Sequence, residues 1–198
     1  MNQLNLALFS EINAGADLSG YPLWLAIFTA KYLVIFVVLF LFALWLWGSK
    51  RDRSVLMQAF SANCLALFIN WIIGLFWFHP RPFMIGIGHT YLIHAPDSSF
   101  PSNHVAALCA ISLVFLWREP KKLITSLLLL ATVLVAWARI YVGIHFPFDM
   151  IGGVVVALVS VGFVIYLTPL IERYFTPIME YIHRILFTKI FHHKGTNN

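Results

Sequence analysis

The chain has 198 residues, of which 61% are hydrophobic and only 11% are charged, and its mean hydropathy is +0.84. These values exclude an ordinary soluble globular domain and indicate an integral membrane protein. The net charge of +5 comes from short basic clusters between apolar segments, so it predicts membrane orientation and not nucleic-acid binding. Cys64 and Cys109 both lie inside apolar segments, which argues against a disulfide framework or a thiolate metal site.

The N-terminal segment has a helical pattern but lacks the basic residues that begin a signal peptide. Leu4, Leu8 and Ile12 recur at helical spacing, and the first twenty residues contain no Lys or Arg. We therefore expect a short helix that lies in the membrane interface.

Five apolar segments follow, and each is predicted to be a helix because a backbone in lipid must satisfy its own hydrogen bonds. They cover residues 23–47, 55–78, 105–117, 123–137 and 150–171. Most approach the ~20 residues that cross ~30 Å of hydrocarbon, whereas the third and fourth are short unless their polar ends are counted.

The tail after residue 172 has apolar residues on one face and basic residues between them, which predicts an amphipathic helix on the anionic inner surface. The predicted fold class is therefore all-α: a single domain over residues 1–198, built as a bundle of about five transmembrane helices with interfacial N- and C-terminal helices.

The basic residues predict how the spans are oriented. In a five-span arrangement, the three connections that carry them lie on one side of the membrane: Lys50, Arg51 and Arg53; Arg118, Lys121 and Lys122; Arg173, Arg184, Lys189 and Lys194. The positive-inside rule places that side, and the C-terminus, in the cytoplasm. The N-terminus, the loop 79–103 and the loop 139–149 then meet on the outer face of a bacterial cytoplasmic membrane.

The two outer loops contain residues suited to binding phosphate. Ser102 lies just before the third span, where an N-cap belongs, and a helix N-terminus of this kind binds anions readily. Arg81 and Arg139 add planar forks of donors that match phosphate oxygens. Each residue alone has a plain explanation, such as capping or snorkelling, but their occurrence on one face predicts a phosphate site.

His145 and Asp149 lie four residues apart at the start of the last span, with Pro147 between them. Proline suits the first helical turn, so the carboxylate can reach back to one imidazole nitrogen and raise the nucleophilicity of the other. We expect His145 to attack phosphorus and form a phosphohistidine, while His104 protonates the leaving oxygen and then activates water. Because cationic side chains stabilise the charge, neither a metal nor a cofactor is expected.

A zinc site is the competing interpretation of the histidines. His79, His89, His94 and His104 are separated by ten, five and ten residues, a spacing that matches no compact ligand pattern. Neighbouring arginines would also repel a cation. The expected partners are therefore a lipid-linked phosphate or diphosphate and membrane lipids, with no nucleic acid.

Three motifs resemble the signature of the type 2 phosphatidic acid phosphatase superfamily, whose members are metal-independent phosphatases: Arg81-Pro82, Pro101-Ser102-Asn103-His104, and Arg139 followed by His145 and Asp149. The resemblance implies His145 as nucleophile, Asp149 as its partner and His104 as general acid. It also implies four phosphate ligands, namely Arg81, Ser102, Asn103 and Arg139. The small size and the His79–Phe83 run resemble bacterial undecaprenyl-diphosphate phosphatases of the bacitracin-resistance type.

The chain departs from the family pattern at three positions. Gly74 stands where the first motif begins with Lys, Asn103 where the second usually has Gly, and Ala138 where the third usually has Ser or a similar small residue. Asn is common at turn and cap positions and Ala138 lacks one hydroxyl, so neither departure excludes activity. Lys31, near the outer end of the first span, is a candidate replacement for the missing lysine, against the plain alternative of snorkelling.

Asn63 and Asn70 share one face of the second span, and hydrogen bonding between helices explains both best.

The predicted function is hydrolysis of undecaprenyl diphosphate to undecaprenyl phosphate in the recycling of a lipid carrier. Two alternatives remain open at this point. The first is a phosphatase for another lipid phosphate, such as phosphatidylglycerol phosphate or lipid A. The second is a non-catalytic carrier of anionic lipids, which would need polar residues through several spans, whereas these spans are almost wholly apolar.

Overall fold

The computed structural model describes residues 2–118 and 122–192, and these form eight α-helices. Their bounds are α1 Gln3–Ile12, α2 Gly20–Ile27, α3 Leu33–Trp47, α4 Lys50–Phe76, α5 Asn103–Arg118, α6 Lys122–Tyr141, α7 Pro147–Leu170 and α8 Thr176–His192. Two π-helical turns, Phe28–Tyr32 and Ile171–Phe175, join α2 to α3 and α7 to α8. A 3-10 turn, Pro82–Ile85, lies in the loop after α4.

Four helical stretches are long and apolar enough to cross a membrane: Gly20–Trp47, Lys50–Phe76, Leu123–Tyr141 and Pro147–Leu186. Helix α5, which corresponds to the predicted third span, is apolar but has only 16 residues. The predicted fourth span gains its length from its polar end, as far as Tyr141. The all-α membrane bundle is therefore confirmed, with one span shorter than the others.

The core forms where α4, α5 and α7 pack together on small side chains. Ala62, Ala66, Ala106, Ala110 and Ala157 are fully buried at these contacts. Small residues let helices approach closely, which stabilises a bundle in lipid through van der Waals contact. At Gly153 of α7 the backbones come close, since an added Cβ would lie 3.0 Å from the Ser102 carbonyl oxygen. This packing brings the start of α5 against the start of α7.

The basic connections meet at one end of the bundle. Arg53 forms an ion pair with Glu180 of α8 at 2.6 Å, and Arg118 forms one with Glu172 in the π-helical turn before α8. His183 of α8 also lies 2.9 Å from the Leu46 carbonyl oxygen. The predicted amphipathic tail is thus α8, which continues from α7. Two residues of the predicted basic pattern, Lys121 and Lys194, lie outside the described residues.

The N-terminus and the two polar loops meet at the opposite end, as predicted. The Asn13 side chain donates to the His89 carbonyl at 2.9 Å, and Tyr91 N–H donates to the Val142 carbonyl at 3.0 Å. Helix α1 has two faces, because Phe9 is buried while Leu4 and Leu8 are exposed. Phe9 packs against Phe146 with the two rings tilted and their centroids 5.1 Å apart. The N-terminal helix therefore packs against the polar loops and is hydrogen-bonded to them through Asn13.

Candidate active site

Most of the residues singled out in the sequence come together where the loop 77–102 meets the loop 142–146. Arg81, Ser102, Arg139, His145 and Asp149 are all buried in this one cluster. Asn103 is exposed and His104 is half-buried, and both lie in the first turn of α5 beside it. The helix boundaries explain the arrangement, since α5 and α7 begin, and α6 ends, at the same end of the bundle.

His145 and Asp149 have the geometry that their spacing predicts. Pro147 opens α7, and Asp149 Oδ2 accepts a hydrogen bond from the backbone N–H of Phe146 at 2.8 Å, which fixes the carboxylate at the helix start. The same oxygen lies 3.0 Å from His145 Nδ1. The N–H of Ser102 donates to the Asp149 carbonyl at 3.0 Å, so the two helix starts are joined through the backbone.

The other nitrogen of His145 faces the two arginines. Nε2 lies 3.0 Å from Arg81 Nη1 and 3.4 Å from Arg139 Nη2. Guanidinium groups only donate hydrogen bonds, so Nε2 must accept and the ring proton belongs on Nδ1, where it is donated to Asp149. Burial lowers the pKa of His145 to about 3; the Asp149 bond opposes this shift, and the arginines add to it. The imidazole is therefore neutral, with its lone pair on Nε2.

Ser99 is a third member of this group that the sequence did not reveal. It is fully buried, and its hydroxyl donates to Asp149 Oδ2 and lies 3.2 Å from His145 Nδ1. Its backbone N–H donates to the His79 carbonyl at 2.7 Å. A serine in a polar loop carries no sequence signal of such a role, because the contact spans 50 residues of chain.

Arg81 is held by the loop that precedes α5. Its Nε donates to Asp97 Oδ1 at 2.8 Å, its Nη1 to the Ile144 carbonyl at 2.8 Å, and its Nη2 to the Ser98 carbonyl at 3.3 Å. Partial burial raises the pKa of Asp97, but hydrogen bonding and charge from Arg81 outweigh this effect and lower it overall. Asp97 is therefore ionised. It orients the guanidinium through Nε and forms no hydrogen bond with the two Nη groups.

Arg139 is held from two sides. Its Nη1 donates to the Ala30 carbonyl in the π-helical turn at 3.1 Å, and its Nη2 lies 3.3 Å from His94 Nε2. Burial lowers the pKa of His94, and the charges of Arg81 and Arg139 lower it further, so that His94 accepts from Arg139 as a neutral ring. His94 was a candidate only as a zinc ligand in the sequence, and its contact with Arg139 was not predicted.

The second motif places its side chains in different surroundings. Ser102 is fully buried at the N-cap position, and its Oγ has no hydrogen-bond partner among the described residues. Asn103 Oδ1 accepts a hydrogen bond from Asn70 Nδ2 at 2.9 Å, so the predicted interhelical bond is confirmed for Asn70. His104 lines a cavity of about 220 Å³ between α3, α4 and α5 and makes no hydrogen bond to a described residue. A hydroxyl and an imidazole are thus left available beside the arginines.

The structure also locates Ala138, Lys31 and the histidines of the alternative zinc site. Ala138 is fully buried in one apolar cluster with Ala26 and Ala30. Lys31 is exposed, with Nζ 5.2 Å from the ring centroid of Tyr32, and its proposed role as a phosphate ligand stays a prediction. Within residues 2–118 and 122–192, the histidines of the alternative zinc site do not form a ligand cluster.

The sequence is similar to the sequences of known proteins. The family model of the PAP2 superfamily matches residues 55–173. The chain is 40% identical over 161 residues to the Escherichia coli (strain K12) protein named "Putative undecaprenyl-diphosphatase YbjG", covering 81% of this chain and 80% of that protein. It is 32% identical over 187 residues to undecaprenyl-diphosphatase BcrC of Bacillus subtilis (strain 168), covering 94% and 95%.

Two solved structures have a similar fold. The crystal structure of Aquifex aeolicus LpxE matches with a TM-score of 0.62 at 24% identity, covering 83% of this chain and 96% of that chain. A PAP2-type phosphatidylglycerolphosphate phosphatase from Bacillus subtilis matches with a TM-score of 0.58 at 18% identity, covering 86% and 87%. At these identities the two structures support the membrane fold alone.

Proposed function

The chain belongs to the PAP2 superfamily, and from this membership we propose that it is a metal-independent phosphatase that converts undecaprenyl diphosphate to undecaprenyl phosphate. One observation carries the chemistry: His145 Nδ1 is paired with Asp149, while Nε2 lies between Arg81 and Arg139. A nucleophile with its lone pair between two guanidinium groups suits attack on an anionic phosphorus. The relatives named as undecaprenyl-diphosphatases support the choice of substrate.

The proposed reaction has two steps. His145 Nε2 forms a bond to the terminal phosphorus as the bond to the bridging oxygen breaks, and that oxygen takes the electron pair and a proton from His104. His104 then removes a proton from water, which attacks the phosphohistidine and releases inorganic phosphate. Asp149 stabilises the positive charge that develops on the imidazole ring, because its carboxylate accepts the hydrogen bond from Nδ1–H throughout.

The oxygens of the reacting phosphate would bind to donors on Arg81, Arg139 and Ser102, with the two arginines exchanging their contacts to His145 Nε2 for contacts to phosphate. Arg81 and Arg139 direct Nη groups at Nε2, and Ser102 Oγ is buried without a partner among the described residues. In a buried site these donors stabilise developing negative charge more strongly than they would in water. We propose that they fill the role that a metal ion has in other phosphatases.

We propose that the site faces the exterior of a bacterial cytoplasmic membrane, with the C-terminus inside. The support is the separation of charge: Arg53 and Arg118 lie with the α8 region at one end of the bundle, opposite the site. By the positive-inside rule, the basic end faces the cytoplasm. A site at the outer interface would bind the headgroup while the polyprenyl chain stays in the bilayer.

The test is phosphate release from undecaprenyl diphosphate in detergent, with a chelator present, by the wild type and by His145→Ala. We expect release by the wild type and a loss of at least ~10⁴-fold in the variant, since the nucleophile is removed. Release by His145→Ala at the wild-type rate would refute the proposed nucleophile. Release that the chelator abolishes would refute the metal-independent reaction, and no release by the wild type would refute the substrate.

A further inference from the structure

A cavity of about 520 Å³ lies next to the phosphate site, between the outer end of α4 and the loop that leads into α5. Its polar part is formed by Asn70, Asn103 and Asp97, and its apolar wall includes Trp71 and Phe100. Trp71 is 58% exposed on the outside of the bundle, where lipid would surround it. The cavity therefore joins a polar floor to an apolar surface.

Gly74 keeps this cavity open. It stands at the position where the family pattern has lysine, and an added Cβ would lie 3.7 Å from Ser98 Cβ, at ordinary contact distance. A long side chain at residue 74 would therefore extend across the cavity towards the loop that holds Asp97. In this chain that space is free for a ligand.

Two amides form the floor beside the general acid. Asn70 is 4% exposed, and its Nδ2 donates to Asn103 Oδ1 at 2.9 Å. Because this bond occupies Asn103 Oδ1, the Nδ2 group of Asn103 is the part left to donate to a ligand. Asn70 Oδ1 is buried without a partner among the described residues, so it can accept a hydrogen bond from a ligand hydroxyl or a bound water.

The position of Asn103 in the chain determines which part of the substrate it would meet. It directly precedes His104, and both residues line the smaller cavity of about 220 Å³ between α3, α4 and α5. In the proposed reaction His104 protonates the bridging oxygen of the diphosphate. A donor on the residue next to His104 would therefore lie within reach of the phosphate that stays on the lipid.

We propose that the Gly74 cavity, with its Asn70–Asn103 floor, is a second phosphate subsite that holds the lipid-side phosphate of a diphosphate substrate. Asn103 donates Nδ2 to that phosphate, and Asn70 is a positioning residue that orients the Asn103 amide. The assignment rests on the proposed function. Neutral amides suit this subsite because both arginines are directed at the terminal phosphate, and the apolar wall accommodates the first isoprenoid carbons.

The experiment compares two substrates with the same tail, farnesyl diphosphate and farnesyl monophosphate, by phosphate release in detergent. We expect Asn103→Gly and Asn70→Leu to lower kcat/KM for the diphosphate by about tenfold or more, the cost of one lost hydrogen bond to a charged group. The monophosphate rate, which does not depend on the subsite, should change by less than about threefold. Competitive inhibition gives a second measurement. Inhibition by methylenediphosphonate should be weaker in both variants, whereas inhibition by orthophosphate should be unaffected.

Matched variants separate the subsite from general damage to the helix. Gly74→Ala fits at contact distance and should keep the wild-type ratio of diphosphate to monophosphate kcat/KM. Gly74→Leu should fill the cavity and lower that ratio. Asn63→Ala removes another amide from the same face of α4 and should leave the ratio unchanged.

The two hypotheses fail in different ways. Equal losses on both substrates, or unaltered inhibition by methylenediphosphonate in Asn103→Gly, would overturn the second subsite while the phosphatase stands. A wild-type protein that releases phosphate from neither compound, nor from the longer undecaprenyl diphosphate, would refute the proposed function itself.

Discussion

The imidazole of His145 is held as a neutral ring with its lone pair on Nε2, the form that the proposed attack on phosphorus needs. Asp149 accepts from Nδ1, and the guanidinium groups of Arg81 and Arg139 fix the lone pair on Nε2. A bound phosphate would enter between Nε2 and these guanidinium groups, replacing two nitrogen contacts with bonds to its oxygens. Because the donors already point at this place, little reorganisation is needed when charge develops.

Replacement of Ser99 tests how far the orientation of Asp149 matters. Ser99→Ala removes the hydroxyl that donates to Asp149 Oδ2, so the carboxylate gains freedom and the His145 ring is less firmly oriented. We expect kcat to fall by about tenfold with KM nearly unchanged, because the lost bond of about 1.4 kcal/mol acts through His145 and not on the bound phosphate. Steady-state kinetics with farnesyl diphosphate measures this split.

Ser160→Ala is the matched control for that variant. Ser160 is also fully buried, but its hydroxyl donates to the Val156 carbonyl within α7, far along the helix from the site. It should keep wild-type kinetics. A fall in kcat of the same size in both variants, or a Ser99→Ala effect confined to KM, would contradict a positioning role for Ser99.

The neutral state of His145 predicts how stability depends on pH. Burial lowers its folded pKa to about 3, against about 6.5 in an unfolded chain. Between these values the unfolded state binds more protons, so stability falls as the pH drops from about 6.5 towards 3. At pH 5 the loss is about 2 kcal/mol.

Thermal unfolding in detergent at pH 7.5 and pH 5.0 measures this effect. The loss of about 2 kcal/mol corresponds to a Tm decrease of about 4–8 °C in the wild type, and His145→Gln should show a smaller decrease because it lacks the titrating ring. His89→Gln, which changes an exposed histidine, should keep the wild-type decrease. Equal decreases in the wild type and His145→Gln would show that His145 does not titrate in this way.

The sequence predicted the residues whose roles follow from local spacing. Pro147 and the four-residue separation placed Asp149 within reach of His145, and Ser102 proved to lie at the N-cap of α5. Ser99 and Asp97 could not be found in this way. Their contacts depend on the path of an irregular loop, and such a path has no periodic pattern to read.

At the scale of elements, the contact between α5 and α7 sets the distance between the second and third motifs. At Gly153, an added Cβ would lie 3.0 Å from the Ser102 carbonyl oxygen and 3.1 Å from the Ala106 nitrogen. Both neighbours are backbone atoms, so they cannot move aside without moving α5. Gly153→Ala should therefore shift Ser102 and His104 away from Asp149.

We expect Gly153→Ala to destabilise the protein by about 1–3 kcal/mol and to lower kcat by at least about tenfold. Gly162→Ala is the matched control in the same helix, because its added Cβ meets no described atom within 4 Å beyond its chain neighbours and the local helix backbone, and it should keep wild-type activity. Thermal unfolding and phosphate release measure both variants. Wild-type behaviour of Gly153→Ala would show that the helices can separate there without harm to the site.

Helix existence was predictable and helix ends were not. Hydropathy located every long span, but the fourth reaches Tyr141 where the apolar pattern stops at residue 137. The polar end is helical because Arg139 is buried by tertiary contacts, among them the Ala30 carbonyl in the π-helical turn. A π-helical turn has no characteristic amino-acid composition. No local pattern therefore predicted that a carbonyl within Phe28–Tyr32 would accept a hydrogen bond from an arginine.

At the scale of the whole molecule, the short α5 determines how deep the site lies. Its 16 residues span about 24 Å, less than the ~30 Å of hydrocarbon. If Arg118 lies at the inner boundary, the start of α5 with Ser102 and His104 lies about 6 Å below the outer boundary. The phosphate headgroup would then enter the site from within the outer leaflet.

The orientation of the molecule is testable by cysteine labelling. Cys64 and Cys109 are the native cysteines, and replacing both with Ala gives a background without thiols. Ile93→Cys then places one thiol at a fully exposed position in the loop 77–102, and Lys50→Cys places one at the opposite, basic end. A membrane-impermeant maleimide in intact spheroplasts should label Ile93→Cys and leave Lys50→Cys unlabelled until the membrane is opened, because the proposed orientation puts the basic end in the cytoplasm. Labelling of Lys50→Cys alone in intact spheroplasts would invert the proposed orientation and place phosphate release inside the cell.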